Sequence, residues 1–404
     1  MRRMIGVAEA DRLIFARMPE LRAIQVPLVE APGRILGQKI VAERDHPPFD
    51  RVMMDGIALG TEGLAKGKRD FKIAGIQAAG TAPLTLPSID CCIEVMTGAV
   101  LPLGCNAVVP VEQIEVEEMV ARIAPDLAIE PGQFIHAVGS DRRAGSALLA
   151  PGRRLDGPCV AVLASEGYAR VEVAACPRIC VIATGNELVE VASKPQPHQI
   201  RLSNAPAIAA GLNLHGWDAV TVRHLVDDRE VLEREFESLL ENHDILILSG
   251  GVSKGRYDYV PEVLAALGIA ADFHGIRQRP GKPMWFGGRE QDGKIVFALP
   301  GNPVSSLVCL HRYVLPALLK AAGGNPGRIS VRLGEIFRFK SELTGFVPVR
   351  LVQDESGETV ASARSTHNSG DFAALAMSDG FVELPEESES FAAGFCAGFY
   401  PWQV

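Results

Sequence analysis

Between residues 178 and 320, short aliphatic runs alternate with longer segments of helical spacing, and this alternation constrains the fold more than any other feature. The runs predicted as strands are RICVIAT, DAVTVRHLV, DILILSG and KIVFALPG. The segments predicted as helices are SNAPAIAAGLNLHGW, DDREVLEREFESLLENH, DYVPEVLAALG and NPVSSLVCLHRYVLPALL. Strands that alternate with helices of about 10–17 residues build βαβ units. The pattern therefore predicts a central three-layer α/β domain with a parallel sheet, over residues 177–324.

The flanks of this segment have a different pattern. Residues 46–141 contain short strand-like runs such as FKIAGI, separated by Gly and Pro, which predicts a separate N-terminal β domain. Residues 325–404 return to short strands and predict a β-barrel-like C-terminal domain. Helical spacing over residues 6–24 places residues 1–45, together with 142–176, in a helical and linker domain. The predicted fold class is therefore multidomain α/β plus β.

Length and charge exclude several classes of protein. The chain has 404 residues, which is too long for one ordinary hydrophobic core and favours two to four domains. Its formal net charge is −9, whereas a protein that binds nucleic acid through its overall charge is basic. The N-terminus lacks the apolar run of a signal peptide, and no uninterrupted apolar run is long enough to span a membrane. Eight cysteines without a CxxC pair indicate reduced thiols, so we expect a cytoplasmic protein.

Three loops that follow predicted strands carry polar residues or glycines that could contact a ligand. One of them contains Glu187, and the candidate ligand-binding residues of the other two are Ser249, Gly250, Gly251, Ser253, Pro300, Asn302 and Pro303. Ligands of open α/β sheets bind beyond the carboxyl ends of the strands, and helix N-termini attract phosphate there. Together with the cations of IRQRPGKP, which are Arg277, Arg279 and Lys282, these loops predict an anionic ligand.

The common phosphate signatures do not occur in the sequence. There is neither a GxxxxGK[ST] P-loop nor a GxGxxG dinucleotide fingerprint. One alternative does match, because Gly251-Val-Ser253-Lys-Gly255 satisfies the GxSxG pattern of α/β-hydrolases. Asp272 with His311 or His367 would then complete a triad. Ser249-Gly250 separate this pattern from the strand, whereas a nucleophile elbow follows its strand directly.

Acidic residues and a threonine lie in loops of the predicted β domain. Asp50 and Asp55 belong to HPPFDRVMMDGIAL, Thr97 to CIEVMTGAV and Asp141 to HAVGSDRRAG. Scattered carboxylates are usually surface residues. Mg²⁺ is commonly held by one or two carboxylates plus substrate phosphates. These carboxylates could therefore bind Mg²⁺ if the fold places them close to the anion-binding loops.

Seven phrases, in order along the chain, resemble the MoeA family, the molybdopterin molybdenumtransferases that include the E domain of gephyrin. The phrases are PPFDRVMMDGIAL, EVMTGAVLPLGCNAVVPVE, VGSDRRAGSALLAPGRRL, RICVIATGNELVE, ILSGGVSKGRYDYV, RQRPGKPMWFG and ALPGNPVSSLV. The resemblance covers nearly the whole chain. It implies a homodimer in which the central α/β domain binds molybdopterin.

The resemblance also implies an activity, the Mg²⁺-dependent insertion of molybdate into adenylylated molybdopterin with release of AMP. The residues implied to be catalytic are Asp55, Thr97, Asp141, Glu187 and Asp258, of which Asp55, Glu187 and Asp258 would hold Mg²⁺. They would line a cleft between the β domain and the α/β domain. The implied substrate-binding residues are Ser249, Gly250, Gly251, Ser253, Arg277, Arg279, Lys282, Pro300, Asn302, Pro303 and Ser369. Since no protein nucleophile is required, catalysis would depend on positioning and electrostatics.

The partners implied are small-molecule substrates, a molybdopterin adenylyltransferase and recipient molybdoenzymes, with neither nucleic acid nor membrane among them. Several positions depart from the family pattern, and two of these departures remove an acidic group. Asn186 stands where Asp is usual, and Ser140 stands where Glu is usual. Loss of two acidic groups leaves a second interpretation open, in which the chain is a non-catalytic paralogue that binds molybdopterin and delivers it to a particular molybdoenzyme.

Overall fold

The computed structural model describes residues 4–251, 259–339, 342–364 and 371–403. The chain divides into two compact units. The larger unit consists of Met1–Gln38, Pro151–Ala161 and Ala169–Val404, and the smaller unit of Lys39–Ala150 and Val162–Tyr168. The four-part division given above is finer than this one and stays a prediction.

Most helices of the described ranges belong to the central segment of the chain. Their bounds are α1 Val7–Arg17, α2 Thr61–Ala65, α3 Gly157–Ser165, α4 Asn204–Leu214, α5 Arg229–Asn242, α6 Val260–Ala266, α7 Pro303–Cys309, α8 Leu315–Ala321 and α9 Phe372–Ala376. Leu310–Val314 winds as a π-helix, so α7 and α8 form one helical stretch. This stretch, Pro303–Ala321, is long and apolar enough to cross a membrane, but 72% of it is buried inside the protein, as is typical of a core helix.

The first helix is shorter than its sequence pattern predicts. Helical spacing continues to residue 24, but α1 ends at Arg17. Met18 is extended, with φ −61° and ψ 124°, because the proline ring of Pro19 disfavours the α conformation in the residue before it. The helix prediction is therefore wrong for residues 18–24, and a strand begins at Ala23 instead.

The N-terminal half of the chain is mainly β-structure. Its strands are β1 Ala23–Pro27, β2 Ile40–Val41, β3 Arg51–Val52, β4 Gly56–Leu59, β5 Asp70–Gln77, β6 Cys91–Val95, β7 Ala107–Pro110, β8 Ile114–Glu117, β9 Val120–Ile123, β10 Ile135–His136, β11 Ala147–Leu149 and β12 Arg170–Ala174. In the smaller unit, one sheet has the order β7-β4-β6-β5-β9-β8, and β3 pairs with β10. Phe71 and Ile73, two residues apart on β5, are both buried in its core. The predicted N-terminal β domain is confirmed.

The central segment forms a six-stranded sheet. The strands of this segment are β13 Ile179–Thr184, β14 Leu188–Val189, β15 Ile200–Arg201, β16 Val220–Leu225, β17 Ile245–Ser249, β18 Ala270–His274, β19 Gln278–Arg279, β20 Trp285–Arg289 and β21 Lys294–Leu299, of which β14, β15 and β19 lie outside this sheet. The sheet order is β16-β13-β17-β21-β20-β18, and the first four strands are parallel. β20 is antiparallel to β21, because only four residues join the two strands and a parallel crossover needs a dozen or more.

Alternate residues of the central strands belong to two different cores. On β17, Ile245 and Ile247 pack into the cluster that contains Ile208 of α4, whereas Leu246 and Leu248 pack into the cluster that contains Phe236 of α5. Successive side chains of a strand point to opposite faces, so helices cover both faces of the sheet. The predicted three-layer α/β domain is confirmed.

The C-terminal segment forms a closed sheet. Its strands are β22 Ile329–Leu333, β23 Phe337–Arg338, β24 Thr344–Gln353, β25 Thr359–Ala363, β26 Gly380–Leu384, β27 Ser390–Phe391 and β28 Cys396–Pro401. The order is β24-β25-β22-β28-β26, and β26 pairs again with β24, which closes the ring. The predicted β-barrel-like domain is confirmed.

A buried arginine joins three parts of the larger unit. Arg312, in the π-helical turn, is 5% exposed and donates to both carboxylate oxygens of Asp11 on α1, at 2.7 and 2.9 Å. It also donates to Glu383 of β26 at 2.8 Å, and the Tyr400 hydroxyl donates to the same carboxylate. Burial alone would lower the pKa of Arg312, but the hydrogen bond to Asp11 raises it above its ordinary value.

Candidate functional site

The carboxyl ends of β13, β17 and β21 open into a cavity of about 860 Å³. Ala183, Ser249 and Leu299 lie side by side in neighbouring strands, so the three strands end at one level. The residues that line the cavity include Thr184, Gly185, Glu187, Asn204, Asp227, Ser249, Gly250, Gly251, Pro283, Pro300, Gly301, Asn302 and Pro303. The structure therefore brings the three predicted loops together at one place.

A hydrogen-bonded group of short side chains lies at the cavity and in the buried layer behind it. The Asn204 amide donates to the Ser249 hydroxyl at 2.9 Å and to the Gly301 carbonyl oxygen at 2.7 Å. The hydroxyls of Ser249 and Ser306 lie 3.3 Å apart, and the Ser306 hydroxyl donates to the Pro300 carbonyl. These bonds tie the end of β17 to the start of α4, to the first turn of α7 and to the loop before it.

The backbone after Ser249 needs glycine at two successive positions. Gly250 has φ +105° and Gly251 has φ +70°, and residues with a β-carbon rarely adopt such backbone conformations. A β-carbon on Gly250 would lie 2.9 Å from the Thr184 carbonyl oxygen, and one on Gly251 would lie 2.5 Å from a methyl group of Val260. The loop can therefore take this path against Thr184 and Val260 only without side chains at these two positions.

Two buried polar atoms beside the cavity have no hydrogen-bond partner among the described residues. They are the Thr184 hydroxyl oxygen and the Asn204 carbonyl oxygen Oδ1. Thr184 is 5% exposed and ends β13, and Asn204 is the first residue of α4. Buried polar atoms are nearly always hydrogen-bonded, so both atoms are suited to contact a bound molecule.

The acidic side of the cavity is formed by the loop after β13. The Glu187 carboxylate folds back against Gly185, and its Oε2 lies 2.6 Å from where a β-carbon of that glycine would stand. The Asn186 side-chain oxygen accepts from the backbone N–H of Asp227 at 3.1 Å. Glu187 and Asp227 both line the cavity, so two acidic residues lie along it.

The third loop leads into α7 as the sequence predicts. Asn302 is the N-cap residue with extended backbone and Pro303 is the first helical residue. The Asn302 side chain makes no capping hydrogen bond. The backbone N–H groups of the first turn of α7 therefore donate no hydrogen bond to that side chain.

The predicted cations lie elsewhere. Arg277 donates to Glu386 at 3.0 Å, and Arg279 and Lys282 are exposed. None of the three is among the described residues that line the cavity, although Pro283 of the same segment does so. Their predicted contact with molybdate or phosphate stays a prediction.

In the smaller unit, Asp55 and Thr97 are directly bonded. Asp55 Oδ1 accepts from both the backbone N–H and the hydroxyl of Thr97, each at 2.6 Å. The side-chain hydrogen bond from Thr97, followed by the backbone one, lowers the pKa of Asp55. Asp55 is therefore an anion throughout the neutral range.

Asp141 takes part in a second group of the smaller unit. Its Oδ1 lies 2.8 Å from His136 Nε2, and His136 Nδ1 lies 3.0 Å from Arg51 Nη2. Arg51 and His136 are paired across β3 and β10, and Arg51 bridges to Val100 on its other side. The loops that carry Asp55, Thr97 and Asp141 are thus neighbours through β3.

Three predicted site residues, Asp258, Ser253 and Ser369, lie outside the described residues, and so does His367. The remaining residues of the hydrolase alternative gain no support. Asp272 receives a bidentate pair of bonds from Arg17, at 2.8 and 2.9 Å. His311 is buried, with its ring packed against those of His215 and Trp402.

Sequence reasoning did not single out several residues of these groups. Thr184 and Ser306 were placed in a strand and a helix, and Asn204 looked like an ordinary helix start before a proline. Arg51 and His136 are separated by 85 residues, and their contact depends on strand pairing. No local pattern signals such a contact.

Comparison with known proteins covers almost the whole chain. The model described as "MoeA N-terminal region (domain I and II)" matches residues 5–167. The "Probable molybdopterin binding domain" matches residues 180–320, and "MoeA C-terminal region (domain IV)" matches residues 330–402. The cavity residues therefore lie inside the second match.

Two relatives and one solved structure agree with these matches. A molybdopterin molybdenumtransferase of Synechocystis sp. is 43% identical over 399 residues, which cover 99% of this chain and 100% of the relative. One of Staphylococcus epidermidis is 32% identical and covers 96% of this chain and 94% of its own length. The crystal structure of a molybdopterin biosynthesis MoeA protein from Pyrococcus horikoshii superposes with a TM-score of 0.82 at 26% identity, over 99% of this chain and 100% of that one. A chain that matches all three models in order and aligns end to end with such relatives belongs to the MoeA family.

Proposed function

We propose that the protein is a molybdopterin molybdenumtransferase of molybdenum cofactor biosynthesis. The relatives from Synechocystis and Staphylococcus carry that name. One observation carries the proposal for this chain. A cavity of about 860 Å³, at the place where open α/β sheets bind ligands, lies in the segment that matches a molybdopterin binding domain.

Within this function, the proposed substrates are adenylylated molybdopterin and molybdate. The cavity falls in the range of about 300–1,000 Å³ that is usual for small-molecule sites. The unpaired Thr184 hydroxyl and Asn204 Oδ1 would receive hydrogen bonds from the bound molecule. The side-chain-free backbone of Gly250 and Gly251 would lie close to its phosphates.

The proposed reaction also includes Mg²⁺, and the described residues offer a limited set of ligands. They contain no group of three or more His, Cys, Asp or Glu side chains placed to hold a metal ion. Mg²⁺ bound beside substrate phosphates needs only one or two carboxylates, which Glu187 and Asp227 could supply. When bound, it would offset the charge that develops on the pyrophosphate as AMP leaves. Asp55 and Asp258 stay further predicted ligands.

The residues of the smaller unit have roles that follow from their hydrogen bonds. Asp55 is held ionised by Thr97, so it can accept a hydrogen bond or attract a cation but cannot act as a general acid at neutral pH. We propose Asp141 as a second carboxylate of the reaction. Neither residue is a nucleophile here, because insertion needs only positioning and electrostatic stabilisation.

The Asn186 departure is consistent with an active enzyme. Its side-chain oxygen accepts from the Asp227 backbone N–H, a bond that a carboxylate oxygen could equally accept. The substitution therefore removes a charge and keeps an acceptor for the loop. Formation of a homodimer and contact with an adenylyltransferase and recipient molybdoenzymes belong to the same proposal.

Binding of molybdopterin to cavity variants tests the proposed site. Thr184→Val removes the unpaired hydroxyl and should raise the Kd by about three- to tenfold, the value of one hydrogen bond. Thr359→Val, at an exposed strand position of the C-terminal barrel, is the matched control and should leave the Kd unchanged. Equal affinity of the wild type and Thr184→Val, measured by titration calorimetry, would remove the Thr184 contact from the proposal.

The catalytic carboxylates need a separate test. Asp55→Ala and Glu187→Ala should each abolish molybdate-dependent AMP release while the circular dichroism spectrum and the unfolding midpoint stay close to those of the wild type. A variant that keeps full turnover would show that its carboxylate takes no part in the reaction.

A further inference from the structure

We propose that His136 is a positioning residue for Asp141, which it connects to Arg51 by hydrogen bonds from both ring nitrogens. This inference deepens the proposed function and rests on it, because Asp141 is a predicted catalytic carboxylate of that reaction. His136 itself belongs to none of the predicted site residues. Its role follows from the hydrogen bonds of the smaller unit.

The bridge consists of the side chains of Arg51, His136 and Asp141, with His136 between the other two. Arg51 Nη2 lies 3.0 Å from His136 Nδ1, and His136 Nε2 lies 2.8 Å from Asp141 Oδ1. Both distances are those of good hydrogen bonds. The imidazole thus uses both ring nitrogens, one toward a cation and the other toward an anion.

The identity of the partners fixes the tautomer of the ring. A guanidinium only donates hydrogen bonds, so Nδ1 must be the acceptor. The proton of the neutral ring is then on Nε2, which donates to the Asp141 carboxylate. A ring that carried both protons would point an N–H at Arg51 and would lose that bond.

The backbone around the bridge is held on both sides. His136 and Arg51 are partners across β10 and β3. The Asp141 N–H donates to the His46 carbonyl at 2.9 Å, and the Val138 N–H donates to the Asp50 carboxylate at 2.8 Å. The main chain of Asp141 is therefore placed by the fold, and the rotation of its carboxylate is set by His136.

This restraint matters because Asp141 is exposed. Its side chain retains 57% of its accessible surface, whereas that of His136 retains 25%. An exposed carboxylate without such a bond samples several rotamers, and ordering it at the moment of reaction costs entropy. A partner that fixes it in advance favours the reaction through preorganisation.

Two amide substitutions separate the two halves of the bridge. In His136→Gln the side-chain amide can replace Nε2–H as donor to Asp141, while in His136→Asn it can replace Nδ1 as acceptor for Arg51. His136→Ala removes both bonds. Arg122→Ala is the matched control, because Arg122 forms an exposed pair with Asp70 in the same unit and away from the bridge.

Steady-state AMP release gives the first readout. We expect kcat to fall about tenfold in His136→Ala and His136→Asn, with KM within about twofold of the wild type, and His136→Gln to restore most of kcat. Arg122→Ala should behave as the wild type. Wild-type kcat in His136→Ala, or rescue by His136→Asn rather than by His136→Gln, would overturn the proposal.

A second readout does not depend on activity. Nitrogen-15 NMR of the imidazole should report a proton on Nε2 and a bare Nδ1 at neutral pH, and Arg51→Ala should let the other tautomer appear. An Nδ1–H tautomer in the wild type would overturn the bridge. If the wild type released no AMP while the NMR result held, the proposed function would fail and the bridge would survive as structure alone.

Discussion

Replacement of Gly250 by alanine tests whether the loop after β17 has the geometry described here. Gly250 has φ +105°, and a β-carbon there would lie 2.9 Å from the Thr184 carbonyl oxygen and 3.0 Å from its hydroxyl oxygen. The positive φ costs about 1–2 kcal/mol in an L-residue, and relief of the close contact adds about 1 kcal/mol or more. We therefore expect Gly250→Ala to lower the free energy of unfolding by about 2–3 kcal/mol.

Gly293→Ala is the matched control for this substitution. Gly293 has φ +68°, lies in the turn before β21, and has nothing within 4 Å of its added β-carbon. It should cost only about 1 kcal/mol and leave ligand binding unchanged. In Gly250→Ala the loop must shift by a few tenths of an ångström, so we expect affinity for molybdopterin to fall about tenfold or more.

Both effects can be measured on the same samples. Unfolding is followed by the fluorescence of the three tryptophans, of which Trp217 and Trp285 lie in the central segment, and binding by titration calorimetry. Equal stability and equal affinity of Gly250→Ala and Gly293→Ala would refute the described loop geometry. A loss of stability without a loss of affinity would place the ligand away from this loop.

Three further predictions concern charges. Asp11→Ala leaves the buried guanidinium of Arg312 without its bidentate partner, so chemical denaturation should show a loss of about 3 kcal/mol, and no loss would contradict the buried pairing. Burial lowers the pKa of His311 from 6.5 to about 3, so the unfolded chain takes up a proton that the folded state excludes. Stability should fall by about 1.4 kcal/mol per pH unit as pH falls from 6.5 toward 3, and His311→Phe should flatten that slope. Hydrogen bonds from Thr97 lower the pKa of Asp55 below 3.8. They therefore stabilise the folded state at higher pH, and this stabilisation is lost as the pH falls through the lowered pKa. Thr97→Val should move the pKa of Asp55 back toward 3.8 in a carboxyl NMR titration.

Local patterns predicted the fold where one stretch of sequence determines the element. The aliphatic run DILILS followed by two glycines predicts a buried strand and a tight corner, and β17 ends at Ser249 as expected. The seven family phrases predicted the MoeA family, which the comparisons confirm. Each of these signals lies within a few residues, so no knowledge of distant contacts was needed.

Features that depend on distant residues could not be predicted in this way. Arg277 looked like part of an anion site, but in the structure it pairs with Glu386, 109 residues further along the chain. The donor to Ser249 is Asn204, which reaches it only because α4 begins beside the end of β17. Such contacts depend on how strands and helices pack, and local composition does not encode that packing.

The most direct test of the proposed activity is AMP release from adenylylated molybdopterin by the purified protein with Mg²⁺, measured with and without molybdate. We expect release that depends on molybdate. Tight binding of the substrate without release would contradict the transferase proposal and would favour a delivery protein. Absence of binding would mean that the cavity at the ends of β13, β17 and β21 takes a different ligand.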